Sequence, residues 1–245
     1  MKISHLFAAL AAVCVVLPSA VSAQERSAVR AGFAFPTDHP VNIVVYRPEV
    51  HVGTLTSGGL DEANADWTAT ARGLIADALK ANDKVAGAKL IFADEPEGDD
   101  GVYFAEYRAL FSAVAEAIQV HKLFPGNRLP TKKETFDWTL GDGAARLGKM
   151  AGADYALFLT THDAYGSSGR KTAQIFGAMF GVAIVPGVHI GYAGLVDLKT
   201  GDVIWFNADP QMGGDVRTPE GAAKRVQQLL DGLPGRAVSV GSVAK

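Results

Sequence analysis

Cysteine is almost missing from this chain: of 245 residues only Cys14 carries a thiol. It sits in an apolar N-terminal run, so a chain cut behind that run has no thiol at all. That excludes disulfides, zinc–thiolate centres and a cysteine nucleophile. An excess of one charge is missing too. Twenty-three Lys and Arg against 26 Asp and Glu give a formal net charge of −3, which offers no basic surplus for nucleic acid or anionic lipid. No apolar run approaches the ~20 residues of a membrane-spanning helix. His39, His51, His121, His162 and His189 show no i, i+2 or i, i+4 pairing, so no zinc ligand set is visible and scattered histidines are expected. Gly58-Gly59 fits neither dinucleotide nor phosphate-loop spacing. These absences leave no metal or cofactor to expect and no nucleic-acid partner.

What is present begins with an export signal. Lys2 precedes an apolar run from about Leu6 to Leu17, followed by Pro18 and the small-residue end Val21-Ser22-Ala23 before Gln24. A basic start, a short apolar stretch and an A-x-A-like end define a secretory signal, with cleavage expected after Ala23 and the periplasm as destination. Cys14 is a poor lipid acceptor, because the apolar run continues past it through Val15, Val16 and Leu17. The expected organisation is a signal over 1–23, a flexible lead over 24–40, one α/β domain over 41–234 and a flexible tail over 235–245.

Within that domain, Val41 to Tyr46, Lys89 to Ala93 and Ala153 to Thr161 read as buried strands. Ile190 to Leu198 and Val203 to Asn207 form a hairpin across Lys199-Thr200-Gly201-Asp202. Helical spacing runs from an Asn64 or Asp66 cap to about Ala81, from Tyr103 to Lys122, from Thr139 to Gly152 and from Pro219 to Leu230. Strands and helices alternate before the hairpin closes the series. The expected fold is α/β: a four- to five-stranded mixed sheet with a C-terminal antiparallel hairpin, packed by three to four helices.

The stretch from Ala145 to Asn207 carries a helix ending in RLGKMAGADYALFLTTHDAYG and, after an intervening segment, GYAGLVDLKTGDVIWFN. A helix leading into Gly-Ala-Asp-Tyr, an apolar strand and an Asp-Leu-Lys-Thr-Gly-Asp hairpin with an aromatic return resembles the curli-secretion-lipoprotein-like group. That group includes activator lipoproteins of penicillin-binding proteins. The resemblance covers about residues 145–207 and implies a periplasmic α/β module that binds protein partners or assembles in the cell envelope. Its motifs are turn and strand chemistry, so they speak to fold more than to function. Unlike the lipoprotein members, the chain has no cysteine placed for lipidation.

Between the last long strand and the hairpin, no residue from Ile175 to Val185 has a polar side chain. The segment reads either as a surface that enters a membrane, another subunit or a partner, or as a hairpin or short helix buried in the chain's own core. In the curli-secretion relative a comparable insertion reaches the membrane. The candidate contact residues are Tyr165, Ile175, Phe176, Gly177, Met179, Phe180, Gly181, Val182 and Ile184. Gly177 and Gly181 have the G-x-x-x-G spacing that lets helices approach closely.

Other motifs compete less well. Gly166-Ser167-Ser168-Gly169 lacks the nucleophile-elbow spacing, and His162 and Asp163 point to opposite faces of a strand. The acids from Asp94 to Asp100 put Asp100 where a calcium loop needs glycine, so a solvated turn before a helix is the expectation. Trp67, Trp138 and Trp205 read as core, with either Trp205 or Phe206 exposed. The functional expectation is a non-enzymatic envelope protein acting through protein–protein or membrane-surface contacts, with an envelope protein or its own subunits as partner. The alternatives are a hydrolase using His162 and Asp163 with Ser167 or Ser168, and a small-molecule binding module.

Overall fold

The computed structural model describes residues 26–82, 88–123, 125–132 and 134–235. The export signal, its cleavage site, Cys14 and the tail from residue 236 lie outside the described residues.

The architecture is α/β, with a mixed sheet of eight strands and five α-helices among the described residues, a larger sheet than the four or five strands expected. The strands are β1 (Arg26–Val29), β2 (Val41–Val45), β3 (Glu49–Leu55), β4 (Asp61–Ala63), β5 (Ala88–Phe92), β6 (Tyr155–Gly166), β7 (Gly187–Asp197) and β8 (Val203–Asp209). The helices are α1 (Ala65–Lys80), α2 (Gly98–Ile118), α3 (Ala144–Ala151), α4 (Ser168–Met179) and α5 (Pro219–Leu229). A π turn over Gln119–Leu123 continues α2.

The strand order is β1-β8-β7-β6-β2-β5. Twelve-residue β6 is the spine. Its first half pairs parallel with β2, its second half pairs parallel with β3, and its whole length pairs antiparallel with β7. Strands β2 and β3 therefore lie end to end along one flank of β6, separated only by Tyr46, Arg47 and Pro48. Proline cannot donate to a ladder, so the break falls where the chain changes from one partner segment to the next. The expected hairpin forms between β7 and β8, pairing from Gly191–Asp209 to Val196–Val203, while β7 runs on to Gly187 against β6 alone.

Side-chain alternation along β6 divides the core. Tyr155, Leu157 and Leu159 face α1 and α5, packing with Ala71, Ile75, Leu79, Val226 and Leu229. Ala156 and Phe158 face α2 and α3, packing with Phe104, Phe111, Ala115, Ile118 and Leu147. Both faces of the sheet are thus covered. Trp205 and Phe206 are accordingly both buried, where the sequence had suggested that one of them faces water.

Two boundaries in particular differ from expectation for local reasons. Residues 24–40, expected as a flexible lead, contain β1, which pairs antiparallel with β8, and Phe33 and Phe35, which pack edge-on against Tyr155. Helix α3 starts at Ala144, because Thr139 bridges to Asp202 and Leu140 N–H donates to Gly201. Helix α1 takes Asn64 as its cap, with Oδ1 accepting from Trp67 N–H at 2.9 Å.

Candidate functional site

The apolar segment between β6 and β7 forms α4 and a return loop that stand on the outside of the molecule. Ser167 caps α4, its Oγ accepting from Arg170 N–H at 3.1 Å. Arg170 turns inward and ties the base down, donating to Val185 O at 2.6 Å and Thr56 O at 3.1 Å. Beyond that base the side chains face outward. Phe180 is 81 % exposed, Met179 73 % and Ile175 67 %, with Phe176, Val182 and Val185 also exposed. A segment buried in the chain's own core is therefore excluded.

The two glycines do not build a helix–helix face. Gly177 lies in α4 beneath the returning loop, where a Cβ would stand 2.9 Å from Val182 O. Gly181 has φ +73°, the left-handed turn that ends the helix. Ile184 lies half-buried against Gly177. Gln174 Nε2 donates to Ile184 O at 3.0 Å, so the polar side chain next to the apolar run is occupied.

Tyr165 does not belong to this surface. It is half-buried at the far end of β6, its ring edge-on to Trp67 and its hydroxyl accepting from Val216 N–H at 3.1 Å. The Arg217 guanidinium lies 3.8 Å from the Tyr165 ring centroid and 4.4 Å from that of Trp67. The same guanidinium makes two hydrogen bonds to Asp215, whose carboxyl is held down at about 2 chiefly by Arg217.

His162 and Asp163 leave opposite faces of β6, toward Asp61 and His189, so the triad read from them with Ser167 or Ser168 does not assemble. Asp163 points into the α5 face, fully buried, and takes a two-pronged ion pair from Arg225 at 2.7 and 2.8 Å. His189 Nδ1 at 2.8 Å and Thr161 Oγ1 at 2.9 Å complete its shell, and Thr161 Oγ1 also contacts Arg225 Nη1. Burial pushes the Asp163 pKa up, but the hydrogen bonds from His189 and Arg225 outweigh it and leave the group below its ordinary value. The buried ion pair is a structural clamp between β6 and α5. The acidic turn is likewise committed to cations: Glu95 pairs with Arg108 at 2.8 Å and Asp100 with Arg146 at 2.7 Å.

His162 leaves the opposite face and meets two residues that no short spacing in the chain joins to it. Parallel register places His51 of β3 beside it, with ring centroids 4.3 Å apart. Asp61, at the start of β4, brings one carboxylate oxygen, Oδ2, to 2.9 Å from His51 Nε2 and 2.7 Å from His162 Nε2. Glycine at position 53 makes room: a Cβ there would stand 2.4 Å from Asp61 Oδ1 and 2.6 Å from Glu62 O. The expectation of scattered histidines fails here because the ligand atoms meet through strand register, not through short spacing in the chain. The legible signal was Gly53 beside His51, an interruption in a β-run that marks close backbone approach. Among the described residues this is the one His/Asp/Glu/Cys group with the spacing of a metal centre. His51 and His162 also line a cavity of about 420 Å³ at the β2–β3 break, walled by Arg47, Arg72, Arg108, Glu49 and Glu95. Arg72 Nε is buried there without a hydrogen-bond partner.

No protein-family model matches the chain, and no curated protein matches it. Among solved structures, the chain is similar to the PelC dodecamer from Paraburkholderia phytofirmans, at 13 % identity over 86 % of this chain and 97 % of that one, with a TM-score of 0.41. It is also similar to lipoprotein GNA1162 from Neisseria meningitidis, at 17 % identity over 69 % of this chain and 80 % of that one, with a TM-score of 0.28. Likenesses this distant carry no functional argument. Among the described residues no helix is long and apolar enough to cross a membrane.

Proposed function

We propose that this is an exported, non-enzymatic protein of the cell envelope that rests on a membrane surface through α4 and its return loop. The observation that carries the reading is the outward exposure of Ile175, Phe176, Met179, Phe180, Val182 and Val185 on one excursion. A protein-facing patch normally mixes apolar area with hydrogen-bonding side chains, with aromatic residues and Arg enriched. This one offers no polar side chain from Ile175 to Val185, which favours a lipid surface over a protein partner. Insertion is shallow, since eleven residues are too few to span and the backbone of the return loop needs water or headgroups as partners.

The energy scale fits a reversible contact. Fully burying an apolar side chain of this size contributes about 1.5–3 kcal/mol, so the exposed parts of six contribute on the order of 5–10 kcal/mol gross. That is comparable with one acyl chain, which gives weak and reversible membrane association. Export rests on the signal over residues 1–23, and the N-terminal residue of the protein recovered from the periplasm should be Gln24.

The test is vesicle flotation of residues 24–245 beside a Phe176→Ser/Phe180→Ser double variant, with mass by light scattering. The wild type should float with phosphatidylcholine vesicles as a monomer in their absence, and the double variant should stay at the bottom with an unchanged melting temperature. A wild type that stays at the bottom overturns the membrane reading. If it also forms a discrete oligomer that the double variant loses, the same surface joins copies of this chain.

A further inference from the structure

We infer that His51, Asp61 and His162 hold a divalent transition-metal ion, for which Zn²⁺ is the natural probe. Two imidazole Nε2 atoms aim at a single carboxylate oxygen, and all three ligand atoms lie within 4.8 Å of one another. A tetrahedral ion with bonds of about 2.0–2.1 Å requires ligand atoms roughly 3.3 Å apart. The observed N···O separations of 2.9 and 2.7 Å fall short of that by about half an ångström. The side chains are 39 % exposed for each histidine and 27 % for the aspartate, so each can withdraw by that amount without moving the core.

The donor set selects the ion. Imidazole nitrogen with one carboxylate suits zinc and its first-row neighbours, whereas calcium and magnesium take oxygen ligands. Three protein ligands leave at least one coordination position for water or an anion. The cavity beside His51 and His162, with Arg72 and Arg108 on its walls, gives such a ligand access. The site is also built in from the backbone. Any side chain at position 53 would displace the Asp61 carboxylate, and Asp61 belongs to β4, which among the described residues pairs with β3 alone. A bound ion would join β4 directly to β6, two strands that share no ladder.

The test is metal binding by untagged residues 24–245, stripped with chelator and titrated with Zn²⁺ and with Co²⁺. One equivalent of Zn²⁺ should bind and raise the melting temperature, Ca²⁺ and Mg²⁺ should not, and Co²⁺ should develop the intense visible bands of a four- or five-coordinate site. His162→Ala, His51→Ala and Asp61→Asn should each weaken Zn²⁺ at least ~100-fold, beyond the contribution of outer partners in metal sites. A His121→Ala variant, away from the cluster, should bind as the wild type does. Retained affinity in all three cluster variants, Co²⁺ showing only the faint spectrum of the aqua ion, or no uptake by the folded wild type would each overturn the inference. Circular dichroism of the metal-free variants separates lost ligation from lost fold, and none of these readouts depends on α4 meeting a membrane.

Discussion

At the scale of single residues, the strongest prediction concerns Asp163 and Arg225. Both are fully buried and hold each other through two parallel hydrogen bonds. Such a pair contributes little net stability relative to apolar side chains, yet removing one member strands the other charge in the core. Asp163→Asn should therefore cost about 3–5 kcal/mol, measured by urea unfolding at neutral pH. The pair also sets an acid limit. The Asp163 pKa is lower in the fold than the ~3.9 of an unfolded chain, so the native state binds fewer protons there. Its contribution is present above that unfolded value and is lost as pH falls through the folded one. Asp215, held at about 2, acts with the same sign. Melting temperature should fall steeply below pH 4 in the wild type and more shallowly in Asp163→Asn. Equal slopes would mean that other carboxylates control acid unfolding.

At the scale of elements, the helices differ in how they are held. Helix α1 buries Ala71, Ile75 and Leu79 under the sheet and has a side-chain cap, so Asn64→Ala should cost about 1 kcal/mol of global stability. Helix α4 buries almost nothing apart from Arg170, and its tether is polar: Ser167 N–H to Leu55 O, and Arg170 to Val185 O and Thr56 O. Arg170→Ala should raise amide exchange over residues 168–186 while β6, β7 and β8 stay protected. Uniform loss of protection would mean that the excursion folds as part of the core. These contrasts mark what a one-dimensional pattern conveys. The faces of α1 and α5 were readable, because their apolar residues repeat at 3.6 and pack on one sheet. Helix α4 was hidden because an unbroken apolar run has no period, and because burial and exposure give it the same composition. Strand β3 was hidden for a related reason: Val50 and Val52 alternate with Glu49 and His51, but Gly53, Thr54 and Leu55 break the alternation, and position 53 has no side chain at all.

At the scale of the whole molecule, the sheet was legible where apolar runs are buried on both faces, as in β2 and the first half of β6, and illegible at its edges. Four-residue β1 is too short and too polar to announce itself, and the three residues of β4 are all exposed. The His51–Asp61–His162 cluster depends on such an edge, which is why chain spacing could not disclose it. The opposite edge makes a prediction of its own. Strand β1 covers β8, every residue of which is buried, through register pairs from Arg26–Ala208 to Val29–Trp205. Arg30 N–H donates to Ile204 O at 2.8 Å, and the Arg30 guanidinium pairs with Asp202 at 3.0 Å. A chain starting at Ala31 would leave β8 as an open apolar edge, ready to pair with another molecule. The lost backbone bonds, at about 1 kcal/mol each net, sum to roughly 3 kcal/mol and lower the melting temperature by about 5–10 °C. The same truncation should make light-scattering mass rise with concentration, and a lysine placed at Ile204 or Phe206 would not be a clean remedy because both side chains are buried. A truncated chain that melts like the full one and stays monomeric would show that β1 is dispensable and that the edge of β8 is protected by its neighbours alone.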